Sequence, residues 1–205
     1  MLRLAAVLVT PRMGEGAPPG VDAGEFSLAL AEDTYEVVAG LELVQPVILA
    51  AGVDDAEGLR HLEDLEDIAW PGTKVMSVPD LAGAFAALQP YGEEAVVISA
   101  DAPDLPPLLI GKLFRELGRA PLAVCPAEGG GAVAIAARLP YPEWASAGLD
   151  DPDVVARLRA QAPGRRMVAT GPGWHRLRVP GDLARLDPGL EGWENTRALL
   201  SGQRL

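Results

Sequence analysis

VVISADAPDLPP, residues 96–107, carries the architecture of this chain. A run of apolar and β-branched residues, Ala95, Val96, Val97 and Ile98, stops at two small residues and gives way to two acids, Asp101 and Asp104. Beyond Pro106 and Pro107, Ile110, Leu113, Phe114 and Leu117 recur at i, i+3, i+4 and i+7, the spacing of one helical face. The pattern predicts a buried central strand that delivers Asp101 to its carboxyl end. A helix follows whose first turn holds both prolines, where missing N–H groups cost nothing. In open α/β sheets ligands bind beyond the carboxyl ends of the strands. A strand-end acid at that place suits a divalent metal, which in turn holds a diphosphate. The same residue types also fit a plainer arrangement, with Asp104 capping the helix and Asp101 as solvated turn chemistry.

Upstream, Leu4–Val9 reads as a first buried parallel strand, apolar on both faces. The next segment, TPRMGEGAPPGVDAGE, is rich in Gly and Pro, carries one basic residue, Arg12, and predicts no regular structure. It is either a loop that cradles phosphates through backbone N–H groups or a mobile solvent loop. Its spacing matches neither G-x-G-x-x-G nor the P-loop pattern. Phe26–Leu41 predicts an amphipathic helix with Phe26, Leu30, Val37 and Leu41 on one face. Pro46–Ala51 predicts a strand, Asp55–Ile68 an acidic helix with His61 at its surface, Lys74–Val78 a strand, and Pro79–Leu88 a helix. The alternation βαβαβα with short loops predicts a three-layer α/β/α sandwich around a mostly parallel sheet.

Downstream, Leu122–Cys125 predicts a strand that runs into Gly129, Gly130 and Gly131. These glycines mark a tight turn with positive φ or a close approach of backbone to a ligand. Pro152–Ala162 predicts a helix and Met167–Ala169 a strand. Trp174–Val179 alternates like an edge strand, and Pro180–Leu186 and Trp193–Leu200 predict the last helices. Trp174 reads as packing, and His175 lacks a His or Cys partner that would suggest zinc.

Bulk composition excludes several function classes. Hydrophobic residues make up 49% of the 205, enough for one domain, 1–205, with a sizeable core. Seventeen basic residues against 29 acidic ones give a formal net charge of −12. A nucleic-acid binder needs a basic face, and an anionic membrane surface would repel this one. Leu4–Val9 is too short to span a membrane and has no small-residue cleavage site after it, which argues against a signal peptide. The single cysteine, Cys125, excludes an internal disulfide and suits a reducing cytoplasmic setting.

Three motifs, in order and spacing, carry a resemblance across nearly the whole chain: Ala100–Pro106 (ADAPDLP), Cys125–Ala132 (CPAEGGGA) and Trp174–Leu183 (WHRLRVPGDL). They resemble S-D-C-P-D-L-P, G-P-A-x-D-G-G-Y and W-x-D-V-D-T-P-x-D-L of the radical-SAM/selenodomain-associated glycosyltransferase-like family, within the nucleotide-diphospho-sugar transferase superfamily. The resemblance implies a GT-A-like sandwich and, in active relatives, magnesium or manganese holding a nucleotide diphosphate, with Asp101 as the metal-facing acid. The departures are as informative. The family's basic first loop is reduced to Pro11 and Arg12, with Glu15 added. The acid before the paired glycines falls on Gly129, and the following aromatic on Ala132. Both acids of the closing motif fall on Arg176 and Arg178. Opposite unit charges about 4 Å apart attract by roughly 4 kcal/mol at an effective dielectric of about 20, so a guanidinium in place of a carboxylate turns attraction for a cation into repulsion of that order. Asp101 is therefore expected within reach of Arg176 or Arg178, as an ion pair.

Two functions follow. In the first, the protein is a glycosyl or nucleotidyl transferase acting on a nucleotide-activated donor. Pro11, Arg12, Asp101, Arg176 and Arg178 then form the nucleotide site, with arginines neutralising the diphosphate. In the second, it is a catalytically inactive GT-A-like domain serving as a binding or scaffold protein, compatible with a homodimer. No residue type or spacing selects a catalytic base.

Overall fold

The computed structural model describes residues 2–53, 56–189 and 192–202. Seven strands form one sheet: β1 (Arg3–Val9), β2 (Val44–Ala51), β3 (Lys74–Val78), β4 (Glu94–Ser99), β5 (Leu122–Pro126), β6 (Ala132–Arg138) and β7 (Val168–Thr170). Their order across the sheet is β3-β2-β1-β4-β6-β5-β7. β6 runs antiparallel to both its neighbours, and the other pairings are parallel, as a mostly parallel sheet requires.

The central strands read as continuous apolar runs because both faces are covered. On β1, Ala5, Val7 and Val9 enter one core while Leu4, Ala6 and Leu8 enter the other. The first core is completed by α1 (Ala23–Ala39), α2 (Ala56–Ile68) and α4 (Pro107–Glu116), through Tyr35, Leu65 and Ile110. The second is completed by α3 (Leu81–Leu88) and α5 (Val154–Gln161), through Phe85, Leu88 and Leu158. A third cluster joins Phe26 and Leu30 of α1 to Leu177 and Trp193, next to α6 (Glu194–Leu200).

Several boundaries differ from expectation for identifiable reasons. The start of the acidic helix at Asp55 lies outside the described residues. α1 begins earlier than Phe26 because Asp22 Oδ1 accepts the N–H groups of Gly24 and Glu25, a side-chain N-cap. It ends at Ala39, so Leu41 lies beyond the helix. The Gly/Pro-rich segment is not wholly irregular, since Pro11–Gly16 forms a 3-10 turn with Pro at its start. Trp174–Val179 is not an edge strand: it makes one bridge, Trp174 to Ala127, because β7 already occupies the edge of β5. The segment instead crosses the carboxyl end of β4, where the Leu177 N–H donates to the Asp101 carbonyl at 2.8 Å.

Candidate functional site

From β1 the chain builds β2 and β3 on one side, then returns to place β4 on the other. Such a switch point opens a crevice between the loops that follow the two central strands. Here the loop after β1 meets Asp101 after β4. The resulting cleft has a volume of about 290 Å³ and is lined by Thr10, Arg12, Met13, Glu15, Asp101, Asp150, Arg176, Arg178 and Val179. A larger cavity of about 440 Å³ adjoins the same 3-10 turn, between Pro11 and Gly14, Ala51 and Gly52 at the end of β2, and Arg60, His61 and Asp64 of α2. The turn separates the two spaces, with Pro11 and Gly14 in one lining and Arg12, Met13 and Glu15 in the other. It is held close by its glycine: a Cβ on Gly16 would stand 2.5 Å from the Leu177 carbonyl oxygen.

The expected ion pair is present. Arg176, only 6% exposed, donates from Nε to Asp101 Oδ1 at 2.6 Å. Its Nη1 donates to Asp150 Oδ1 at 2.7 Å and to the carbonyls of Ala132 and Leu149 at 3.2 and 3.4 Å. Burial works against the charged guanidinium, but the charges and hydrogen bonds of Asp101 and Asp150 outweigh it and hold the Arg176 pKa above its ordinary value. No sequence motif marks Asp150, an acid in the loop between β6 and α5.

Arg178 differs. Burial and the neighbouring charge of Arg176 push its pKa down, against the pull of Asp101, Asp150 and Asp182. Its Nη1 donates to the Gly130 carbonyl at 2.9 Å, while Nε and Nη2 have no hydrogen-bond partner. Asp182 Oδ2 accepts the N–H groups of Arg178 and Val179 and fixes this backbone. The three glycines, all at positive φ, form the turn between β5 and β6, and the turn also admits a close neighbour. At Gly131 (φ +78) a Cβ would meet the Leu149 carbonyl at 2.5 Å and Arg178 Nη2 at 2.8 Å.

Arg12 lies on the cleft wall, exposed, and pairs with Glu15 at 3.3 Å. Pro11 faces the larger cavity instead. Asp104 is not the helix cap: α4 is preceded by Pro106 and has no side-chain cap. Asp104 is buried, its Oδ1 accepts the Trp174 indole N–H at 3.1 Å, and its Oδ2 lies 3.0 Å from His175 Nε2 without hydrogen-bond alignment. Trp174, read from the sequence as packing, therefore also ties the closing segment to the strand end. His61 is half-buried in the larger cavity rather than on the surface; burial lowers its pKa, against the charge of Asp64. Cys125 is buried, which pushes its thiol up to about 12, and its Sγ donates to the Pro172 carbonyl.

The residues present do not fit a divalent metal at Asp101. A second cation there would face a buried guanidinium already within 2.6 Å of the same carboxylate. Among the described residues, one group of three acids brings its carboxylate oxygens within 4.8 Å of one another: Asp33, Glu36 and Glu194. None of the three lines either cavity. Nor is any helix of the described residues long and apolar enough to cross a membrane.

The family described as an uncharacterized protein conserved in bacteria (DUF2064) matches residues 79–150. That stretch includes Asp101, Asp104 and Asp150 but neither Arg176 nor Arg178. No curated protein matches the chain. Among solved structures, a protein from Desulfovibrio desulfuricans G20 named as a nucleotide-diphospho-sugar transferase is similar at 20% identity over 99% of this chain and 98% of its own, with a TM-score of 0.68. A cytidylyltransferase from Leptospira borgpetersenii is similar at 12% identity over 98% and 94%, with a TM-score of 0.57. Rv0371C from Mycobacterium tuberculosis H37Rv, solved as a complex with manganese, is similar at 22% identity over 98% of both chains, with a TM-score of 0.53. The fold is thus the GT-A-like α/β sandwich of nucleotidyl and sugar transferases.

Proposed function

We propose that this protein binds a nucleotide or nucleotide sugar across the two adjoining cavities, as a divergent, metal-independent relative of the radical-SAM-associated glycosyltransferase-like proteins. The observation that carries this is the pairing of unlike spaces on one turn. The larger cavity, with Pro11, Ala23, Ala51 and Val53 in its wall, has room for a nucleoside. The smaller one holds three arginines. Guanidinium forks match phosphate oxygens in geometry and charge. Arg178 has two buried nitrogens without a protein acceptor, and a turn of its side chain toward the cleft would offer them to phosphate oxygens. The Arg12–Glu15 pair is exposed, and exposed pairs contribute little, so Arg12 is free to turn to a phosphate. Asp101, anchored through Oδ1, keeps its other oxygen for a ribose or acceptor hydroxyl.

A second reading has its own support. Asp101 and Asp150 each spend one oxygen on the same guanidinium, which leaves neither as an unpaired carboxylate to serve as general base. This favours a domain that binds the nucleotide without turning it over. Calorimetry of metal-stripped protein with a panel of nucleotides and nucleotide sugars, with and without magnesium or manganese, tests both. Metal-independent binding supports the site, and Arg178→Ala should weaken it by about tenfold, the scale of one charged hydrogen-bond contact. Release of nucleotide or transfer of sugar in the same mixtures selects the transferase. Binding that requires metal, or no binding across the panel, sinks the proposal.

A further inference from the structure

Four oxygens from three parts of the chain surround the Arg176 guanidinium: Asp101 Oδ1 on Nε, and Asp150 Oδ1 with the carbonyls of Ala132 and Leu149 on Nη1. Carboxylates and carbonyls together are a hard-oxygen donor set of the kind that takes magnesium, calcium or manganese. The set is also held in place. The Leu149 carbonyl accepts the Ala132 N–H at 2.7 Å, and the Asp101 carbonyl accepts the Leu177 N–H at 2.8 Å. Side-chain exposure of Asp101 and Arg176 is 4% and 5%, so water does little to screen this pair.

We infer that Arg176 is a built-in cation: its guanidinium fills an oxygen site that would otherwise accept a divalent metal, and it makes the cleft independent of metal. Formal charge agrees. Around the cleft Arg12, Arg176 and Arg178 balance Glu15, Asp101 and Asp150 with no ion added. The cation is tethered, so it neither exchanges with solvent nor depends on metal supply. Its orientation is fixed by the acceptors it engages, whereas two nitrogens of the neighbouring Arg178 are buried without an acceptor. The inference builds on the proposed nucleotide site only in the consequence for ligand binding; the metal site itself is testable without any nucleotide.

The test uses manganese alone, with the metal-stripped full chain, read by the electron-spin signal of free manganese and by thermal unfolding. The wild type should bind no manganese at Asp101 below about 1 mM, the weak end of oxygen sites. Arg176→Ala frees both carboxylates and should bind manganese roughly tenfold more tightly or better, a scale typical of changes around a metal. Its melting temperature should rise with manganese while that of the wild type stays put. Adding Asp101→Asn to Arg176→Ala should remove the gain, which separates this site from surface acids. Should Arg176→Ala not fold, Arg176→Met fills the volume of the side-chain stem and carries the same measurement. Wild-type manganese binding that Asp101→Asn abolishes would overturn the inference, as would Arg176 variants that gain none. Nucleotide titration of the wild type keeps the two ideas apart. A gain of manganese in Arg176→Ala with no nucleotide bound by the wild type leaves the built-in cation standing and removes the proposed function.

Discussion

Asp101 at the end of β4 and Asp33 in the middle of α1 are both buried acids, 2% and 0% exposed, yet they are satisfied by different means. Asp101 meets a full positive charge in Arg176. Asp33 meets peptide N–H groups instead: its oxygens accept from Asn195 and Thr196 at 2.9 and 2.8 Å, where α6 begins. A helix start offers unsatisfied donors and about half a positive charge. That is not enough here. Burial pushes the Asp33 pKa up to about 6, against the hydrogen bonds from Thr196 and Asn195. Burial likewise raises Glu32 and Glu36 on the same helix. A buried carboxylate with a guanidinium partner forms a fixed part of the cleft, while one with only dipoles becomes a titratable fastening between two helices.

The comparison is most severely tested by Arg176→Ala. Removing one partner of a buried pair leaves the other charged and unpaired, so unfolding by urea should show a loss of about 3 kcal/mol. A loss below about 1 kcal/mol would mean that Asp101 finds water or another donor. Gly131→Ala comes next. The positive φ and the 2.5 Å approach to the Leu149 carbonyl predict a loss of about 2 kcal/mol and a displaced Arg178, seen as weaker nucleotide binding.

The Asp33 side gives a smaller effect of definite sign. Its folded pKa, about 6, stands above the ordinary 3.8, so the folded state holds the proton more tightly than the unfolded chain. Its contribution is therefore fully present below the unfolded value and is lost as pH rises through about 6. Stability should be greater by about 1 kcal/mol near pH 5 than near pH 7.5, measured by denaturant titration at both values. Asp33→Asn keeps one oxygen to accept from the start of α6 but turns its NH2 group toward the second N–H, so at neutral pH it should cost about 1 kcal/mol. It should flatten the pH slope. An unchanged slope would place the titrating group elsewhere, with Glu32 and Glu36 as the next positions to substitute.

Much of the fold could be read in advance because its signals are local. Continuous apolar runs gave the central strands, and Asp101 was placed at a strand end by the change from Ile98 to Asp101 over three residues. β3, Lys74–Val78, has the predicted bounds. The site was less legible. Asp101, Arg12, Arg176 and Arg178 do share one cleft. Asp150 had no pattern to mark it, because its importance lies in meeting a residue 26 positions away. Asp104 resembled a helix cap in its position before two prolines, but Trp174, 70 residues on, captured it instead. The alternation of WHRLRV fitted a strand, yet that segment found no free sheet edge.

The order of residues alone sufficed for the layered α/β architecture, because burial on both faces writes itself into each strand as an apolar run and into each helix as a spaced one. Their assembly decided which residues line the cleft. Whether Arg176 replaces a metal, whether Arg178 keeps unpaired donors and whether Asp33 titrates near neutrality depend on which groups lie within hydrogen-bond distance and how far water is excluded. Electrostatic energies vary with distance and local dielectric, and both are properties of the packed molecule rather than of any stretch of chain.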